Sequence, residues 1–323
     1  MGAHLIDGRT LAGELKDRVA SEARELAAEG VRPGLATVLV GEDYAARVYE
    51  RRVGSLAGEL GCRYVSERLP RDAGEADVLA VVGKLNADPR VSGILVLRPL
   101  PQQVSEPAVF RMLNPLKDIE AVHPVNAGLL ALGRARYVPS TPAACFYLLD
   151  RYLENSGREP RAFYPRSTLV VVGRSNNVGK PAISLGFARN ATVISCDVNT
   201  YRAGRLREHT LRADVLIVAA GVPNLIDGSY VREGVIVIDV GINPVEDRSG
   251  GGTKLVGDLD FRSVAGKAEA LTPVPGGVGP VTDVWLLRNT VSAARRSLAP
   301  GRESAVGCPS ASGISGGYER LFN

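Results

Sequence analysis

The sequence predicts two α/β domains with a cleft between them, the second a doubly wound parallel sheet of the Rossmann type. A chain of 323 residues exceeds the size that one hydrophobic core usually organises, which favours two domains. Short apolar runs alternate with segments of helical periodicity, as in βαβ units. Because this alternation restarts near Pro139, we place the domains at residues 1–138 and 139–282.

The first domain is predicted from three helical patterns and two strand patterns. Apolar residues recur at helical spacing over residues 10–30, 45–60 and 75–86. The first two of these segments run into a glycine, which is a common helix stop. Short apolar runs at 35–41 and 93–96 predict buried strands of a parallel sheet.

The second domain is predicted to begin with a helix over residues 141–155. Four strand candidates follow, at 168–172, 192–195, 215–219 and 235–240. Residues 283–297 form an amphipathic pattern, and we expect this helix, within 283–298, to return to the first domain and complete it. Residues 299–323 are rich in glycine and serine without periodicity, which predicts a disordered tail.

Composition excludes several classes of protein. A net charge of +4 over the whole chain gives no reason to expect binding to nucleic acid or to a membrane surface. No apolar run reaches the roughly 18–20 residues that a membrane-spanning helix needs, and the N-terminus does not have the pattern of a signal peptide. The cysteines lack the spacing of metal ligands, so we predict no metal site and reduced thiols in a cytoplasmic protein: Cys62, Cys145, Cys196 and Cys308.

Two glycine-rich segments are candidate ligand loops. Residues 173–181 read Gly-Arg-Ser-Asn-Asn-Val-Gly-Lys-Pro and follow a predicted strand, so backbone N–H groups and a helix N-terminus could face a pyrophosphate. Ser175 replaces a glycine of the standard fingerprint, which leaves an ordinary strand–helix turn open as well. Residues 272–282 read Thr-Pro-Val-Pro-Gly-Gly-Val-Gly-Pro-Val-Thr, an irregular backbone path suited to a flat or anionic ligand or to a plain connector.

The second of these segments resembles the C-terminal signature of the methylenetetrahydrofolate dehydrogenase/cyclohydrolase family. The first resembles that family's turn, Val-Val-Gly-Arg-Ser-x-x-Val-Gly-x-Pro, and the similarity extends over about residues 5–297. The resemblance implies NADP or NAD as cofactor, a tetrahydrofolate derivative as substrate, and a homodimer. It also implies that 5,10-methylenetetrahydrofolate is oxidised to the 5,10-methenyl cation, which a cyclohydrolase activity then hydrolyses.

The resemblance assigns cofactor binding to Thr141, Gly173, Arg174, Ser175, Val178, Gly179, Asp197, Ala220, Gly221 and Ile242. Arg174 matches the arginine that meets the 2′-phosphate in members that use NADP. In those members the matching segment resembles Cys-His-Ser-Lys/Arg-Thr, and Asp197 occupies its second position. A carboxylate at this position favours ribose hydroxyls over a phosphate. Asp197 could instead only cap the following turn. We expect NAD, or a reduced preference for NADP.

For the folate cleft, the resemblance implies substrate contacts by Tyr49, Leu97, Pro99, Leu100, Glu120, Pro273, Pro275, Gly276 and Gly277. The family uses a lysine one helical turn beyond a tyrosine, together with a glutamine and an aspartate that holds the pterin. In this chain the tyrosine is Tyr49, while Val53, Leu97 and Glu120 stand at the lysine, glutamine and aspartate positions.

These replacements affect the two half-reactions differently. Hydride transfer needs the two rings to be aligned, whereas hydrolysis of the methenyl cation needs a general acid and base. We therefore predict a dehydrogenase that has lost its cyclohydrolase activity, with Tyr49 and Glu120 as the remaining catalytic candidates. Two alternatives stay open: a paralogue in a specialised pathway that passes or rearranges the one-carbon unit, with a possible second acceptor, and a non-catalytic folate- or nucleotide-binding relative.

Overall fold

The computed structural model describes residues 2–246 and 252–298, so the tail predicted at 299–323 lies outside the described residues. The strands are β1 (His4–Leu5), β2 (Gly34–Val40), β3 (Arg63–Leu69), β4 (Gly93–Val96), β5 (Thr168–Val172), β6 (Thr192–Cys196), β7 (Val215–Val218), β8 (Ile236–Asp239), β9 (Asn243–Glu246), β10 (Thr253–Val256) and β11 (Ala270–Leu271). The helices are α1 (Gly8–Ala28), α2 (Tyr44–Glu59), α3 (Glu75–Ala87), α4 (Glu106–Met112), α5 (Pro124–Ala131), α6 (Ser140–Asn155), α7 (Pro160–Phe163), α8 (Gly179–Phe187), α9 (Val198–Arg202), α10 (Leu206–Thr210), α11 (Phe261–Ala265) and α12 (Val278–Ser297), with a 3-10 turn at Tyr164–Arg166.

The smaller sheet has the strand order β3–β2–β4, and both pairings are parallel. Every residue of β2 is buried, because alternate side chains enter different hydrophobic clusters on the two faces of the sheet. Ala36 and Val38 pack with α3 on one face, while Leu35 and Leu39 belong to the cluster that contains α1 and α12. The carboxyl ends of β2 and β4 therefore open at one edge of a sheet that is covered on both faces.

The larger sheet has the order β1–β11–β8–β7–β5–β6, with all neighbours parallel. The chain leaves β5 for β6 on one side and later returns to β7 on the other, which places a topological switch point at the carboxyl end of β5. The predicted fold class is confirmed. The β9–β10 hairpin is antiparallel and separate from this sheet.

Helix α12 extends between the two sheets. It packs against α1 and α6 and also contacts β2 and β4. The helix begins at Val278, five residues before the predicted start, because Pro280 lies in its first turn, where a missing N–H is tolerated. Deeper in the helix, Asn289 donates from Nδ2 to the carbonyls of Ile119 and Val138, both at 2.8 Å.

The described residues show how long and apolar the helices are, how the cysteines are placed and whether possible metal ligands cluster. None of the helices there combines the length and the apolar character that crossing a membrane requires. Cys62, Cys145 and Cys196 are free and buried. Within the same ranges, no group of three or more histidine, cysteine, aspartate or glutamate side chains is placed to hold a metal ion.

Candidate active site

The turn after β5 lies directly against the neighbouring strand. At Gly173, where φ is +116°, a Cβ atom would lie 2.2 Å from the carbonyl oxygen of Ala219. At Gly179 a Cβ would lie 2.0 Å from the carbonyl oxygen of Gly173. Both positions therefore require glycine. Ser175 closes the turn, because its Oγ accepts from the N–H groups of Val178 and Gly179 at 3.2 and 3.4 Å.

Arg174 and Asp197 form an ion pair beside this turn, with Nη1 and Oδ2 2.9 Å apart. The arginine is fixed further by Ser195, to whose Oγ and carbonyl oxygen it donates at 2.8 and 2.7 Å. Asp197 also caps α9, accepting from the N–H groups of Asn199 and Thr200. The bond from the Thr200 N–H and the charge of Arg174 hold the pKa of the Asp197 carboxyl below its usual range. Asp197 thus caps α9 and pairs with Arg174, while its hydrogen bonding to ribose hydroxyls stays a prediction.

A buried carboxylate shapes the loop on the other side of the switch point. Asp258 accepts from the N–H groups of Ala220, Gly221 and Val222 at 2.7, 2.9 and 3.0 Å. It also accepts from Nδ2 of Asn243 at 2.8 Å. The structure thus places the predicted residues Ala220 and Gly221 on a loop that is bonded to Asp258, which the sequence analysis did not single out.

A second buried carboxylate, Asp239, supports the first. Its oxygens accept from the N–H groups of Gly241 and Asp258 at 2.9 and 3.0 Å, and burial raises its pKa to about 6. Ile242, which follows on the same loop, is 59% exposed and available to a ligand. Thr141 lies half-buried in the first turn of α6.

The loop before α12 packs closely on the start of α1. A Cβ at Gly8 would lie 1.8 Å from the carbonyl oxygen of Gly277, so the two backbones touch. Gly276 has a φ of +111°, which favours glycine, and lies beside the guanidinium of Arg9. Pro275 is exposed and Pro273 half-buried. The loop is therefore a defined backbone surface, as its composition predicted.

The lysine and glutamine positions of the family are part of the hydrophobic core. Val53 on α2 is 0% exposed, and Leu97, directly after β4, is 4% exposed. Both belong to the cluster that includes Leu35 and Leu39. Beyond Leu97 the chain turns outward, with Pro99 exposed and Leu100 half-buried. Neither core position offers a group that could move a proton.

Tyr49 and Glu120 lie close together at the edge of this core. Burial raises the pKa of the Tyr49 phenol well above its ordinary value, and the nearby carboxylates of Glu120 and Asp283 raise it further. Glu120 is partly buried, and its Oε1 accepts from both N–H and Oγ of Ser140. Burial raises the pKa of Glu120 to about 7 in spite of these bonds. The structure thus brings the two predicted catalytic candidates together.

The shifted pKa of Glu120 predicts a pH-dependent stability. An acid whose pKa is higher in the folded protein favours folding when protonated, and this contribution is lost as pH rises from about 4.5 towards 7. Glu120→Gln keeps an acceptor for Ser140 and removes the titration. Thermal or urea unfolding from pH 4 to 8 should therefore show the variant gaining about 3 kcal/mol over the unmodified protein as pH rises. A stability difference that does not change with pH would contradict the assignment.

Asp283 and Arg52 complete the group around Tyr49, and the sequence analysis did not identify Asp283. Arg52 binds Asp283 through two contacts, Nε to Oδ2 at 2.8 Å and Nη2 to Oδ1 at 3.1 Å. Its guanidinium carbon lies 5.2 Å from the centre of the Tyr49 ring. Burial raises the pKa of Asp283 to about 6, against the opposing effect of Arg52. An aspartate among the buried apolar positions of α12 was the available signal.

The six lysines of the chain lie elsewhere. Four have ammonium groups bound to other partners: Lys16 to Glu59, Lys84 to Glu67, Lys117 to the carbonyls of Leu85 and Asp88, and Lys180 to Asn176. Lys254 is in β10 and Lys267 lies between α11 and β11. The charged side chains that shift the pKa of Tyr49 are therefore the carboxylates of Glu120 and Asp283 and the guanidinium of Arg52.

Comparison with known proteins gives consistent results. The family model for the tetrahydrofolate dehydrogenase/cyclohydrolase catalytic domain matches residues 6–120, and the model for the NAD(P)-binding domain of the same family matches residues 139–298. The chain is 81% identical over 319 residues to Bifunctional protein FolD 2 of Rubrobacter xylanophilus, covering 98% of this chain and 99% of that relative.

Solved structures show the same similarity over most of the chain. The Trypanosoma brucei N5,N10-methylenetetrahydrofolate dehydrogenase-cyclohydrolase, complexed with NADP cofactor and inhibitor, is 33% identical with a TM-score of 0.84, covering 93% of this chain and 99% of that one. The bifunctional methylenetetrahydrofolate dehydrogenase/cyclohydrolase of Campylobacter jejuni is 35% identical with a TM-score of 0.83, covering 91% and 99%. The chain therefore belongs to the tetrahydrofolate dehydrogenase/cyclohydrolase family.

Proposed function

We propose that this protein oxidises 5,10-methylenetetrahydrofolate to 5,10-methenyltetrahydrofolate with NAD or NADP, and that it does not hydrolyse the methenyl product. The family and its NAD(P)-binding domain support the oxidation. One observation carries the loss of hydrolysis: the position of the family's lysine is Val53, whose side chain is completely buried in the hydrophobic core.

The residues at the switch point fit a dinucleotide. Because Gly173 and Gly179 lack side chains, the turn approaches the backbone of the next strand and leaves a shallow surface at the sheet edge. Arg174 and Asp197 lie where the ribose would be held, and Ile242 is exposed on the opposite loop. When bound, the nicotinamide supplies the acceptor for the hydride.

The charges around Tyr49 favour the oxidation step. Loss of hydride leaves a positive charge spread over the two nitrogens of the methenyl bridge. Asp283 neutralises Arg52, and Glu120, when ionised, adds a further carboxylate that attracts a developing cation. Oε1 of Glu120 is engaged by Ser140, which leaves Oε2 to accept from the amino group or ring N–H of the pterin.

The same site lacks the family's lysine for hydrolysis, and its two carboxyls with a pKa near neutrality, Glu120 and Asp283, are already engaged by Ser140 and Arg52. Attack by water on the methenyl carbon requires a group that removes a proton and then protonates a ring nitrogen. Val53 and Leu97 cannot exchange protons, and the guanidinium of Arg52 stays protonated at any working pH. The phenol of Tyr49, whose pKa is raised by burial, stays neutral and is not a base.

Two assays test the proposal. With methylenetetrahydrofolate and either cofactor, nicotinamide absorbance should rise in proportion to the protein. With methenyltetrahydrofolate alone, decay should equal the rate in buffer, and a rate that scales with the protein would contradict the proposal. Formation of tetrahydrofolate without nicotinamide reduction, in the presence of an amine or hydroxyl compound, would instead favour transfer to a second acceptor.

Cofactor choice gives a separate prediction. Asp197→Asn removes a negative charge beside Arg174 but keeps a side chain that caps α9 well. We expect kcat/KM for NADP, relative to NAD, to rise by about tenfold, which corresponds to about 1.4 kcal/mol. Steady-state kinetics with both cofactors measure the ratio, and an unchanged melting temperature shows that the cap is intact. An unchanged ratio would show that Asp197 acts only as a cap.

A further inference from the structure

A second cavity lies where α1, α6, α8 and α12 meet. Its volume is about 490 Å³, within the range of small-molecule sites. None of its lining residues is among the site residues discussed above. Four arginines line it together with three acidic residues, and the aromatic rings of Tyr147 and Trp285 form part of its wall.

The charges on this wall are not balanced. Arg151 is paired with Glu14 and Glu154, and Arg189 is paired with Asp150. Within residues 2–246 and 252–298, Arg18 and Arg288 form no ion pair. Glu22 is also on the wall and attracts Arg288, but the two are not in salt-bridge contact.

Aromatic rings hold these two arginines in place. The guanidinium carbon of Arg288 lies 4.4 Å from the centre of the Trp285 ring, and that of Arg18 lies 5.6 Å from the centre of the Tyr147 ring. The two rings are 5.8 Å apart, so the four side chains form one row across α1, α6 and α12. Arg18 also donates from Nη2 to the Tyr147 hydroxyl at 3.0 Å. Stacking orients a guanidinium while leaving N–H groups at its edge for an acceptor.

The same wall contains a buried donor without an acceptor. Nε1 of Trp285 is inaccessible to solvent and has no hydrogen-bond partner among the described residues. Because this N–H has no solvent-accessible surface, it does not face the open cavity, and the edge N–H groups of Arg18 and Arg288 are the donors that a ligand there would meet. Burial also lowers the pKa of Arg288, against the opposing attraction of Glu22.

We propose that this cavity binds a phosphate, either free or as an ester of a small molecule, with Arg18 and Arg288 as its donors. A phosphate offers enough oxygens for both, and arginine pairs with it through two parallel bonds. The cavity is large enough for a phosphate ester, so the ligand is either inorganic phosphate or the ester of a small alcohol or sugar.

Trp285 is the single tryptophan of the chain, and its fluorescence therefore reports on this cavity alone. The full-length protein is titrated with inorganic phosphate and, separately, with ribose 5-phosphate, against sodium chloride of equal ionic strength. We expect a saturable change with one or both phosphates and none with chloride. Tighter binding of ribose 5-phosphate would identify an ester as the ligand, and tighter binding of inorganic phosphate would identify the free ion.

Matched variants separate binding from general charge effects. Arg18→Gln and Arg288→Gln should each weaken binding at least tenfold by calorimetry, which does not depend on the indole environment. Arg24→Gln, on the exposed side of α1, should leave the affinity unchanged. Circular dichroism confirms that each variant is folded. Equal responses to phosphate and chloride would overturn the proposal. Affinities for phosphate that do not change in the Arg18 and Arg288 variants would also overturn it, as would a fluorescence intensity that depends on protein concentration but not on phosphate.

Discussion

Asp258→Ala is expected to lower the free energy of unfolding by about 4 kcal/mol and to abolish cofactor binding. The carboxylate is fully buried and accepts from three consecutive backbone N–H groups and from Asn243. Removing it leaves four donors without an acceptor, and an unsatisfied buried donor is destabilising by about 1–3 kcal/mol. The loop at Ala220 and Gly221 would then lose its conformation. Urea unfolding and NAD(P) titration by calorimetry measure the two effects.

Asp260→Ala is the matched control for this prediction. Asp260 lies two residues further along the same segment and caps α11, accepting from the N–H of Ser263. Its loss should lower stability by about 1 kcal/mol and leave cofactor binding intact. If Asp258→Ala behaved like this control, the carboxylate would not be what holds the loop.

Val53→Lys combined with Leu97→Gln is expected to produce methenyl hydrolysis at least about 10²-fold above the unmodified protein, the lower end of the range for a positioned proton-transfer group. From position 53, one turn after Tyr49, the lysine ammonium could extend towards Glu120 and Asp283, which would attract it. Both sites are buried in the core, so we also expect a stability loss of about 3 kcal/mol. Absorbance of the methenyl compound and thermal unfolding measure the two results.

Val53→Met with Leu97→Gln provides the control, since methionine has similar length and no amine. It should show no hydrolysis. If the lysine variant folds, judged by circular dichroism, and still does not hydrolyse the methenyl compound, then the cleft has diverged at more positions than these two. The Arg52–Asp283 pair would be the next pair to replace.

Most of the regular structure could be predicted because the central strands carry a strong local signal. Residues of β5, β7 and β8 are apolar, largely β-branched and buried on both faces, so each appears in the sequence as an uninterrupted run. Strand β3 was missed because it is an edge strand, with polar residues such as Ser66, Glu67 and Arg68. Strands β1 and β11 have two residues each, too few for any periodicity.

Site residues could be predicted where a short motif fixes the local backbone conformation. They could not be predicted where their role depends on residues that are distant in the chain. The glycines at 173 and 179 could be assigned from the turn alone, and the structure shows why a side chain does not fit there. Asp283 was missed because its partner Arg52 is 231 residues away in the chain. The role of Asp258 was missed for a related reason, since its bonds go to backbone N–H groups that leave no trace in side-chain pattern.

The short strand β1 determines how the chain is divided between the two sheets. Residues His4–Leu5 pair with β11 in the larger sheet. The chain then forms the smaller sheet, continues through α6 into the other strands of the larger sheet, and ends in α12, which contacts β2 and β4 of the smaller sheet. One hydrophobic cluster accordingly draws residues from both sheets. Neither sheet can be excised with a single cut, because each half would lose an edge strand or a covering helix. A cut near residue 138 would separate β1 from its partner β11, and α1 from its partner α12.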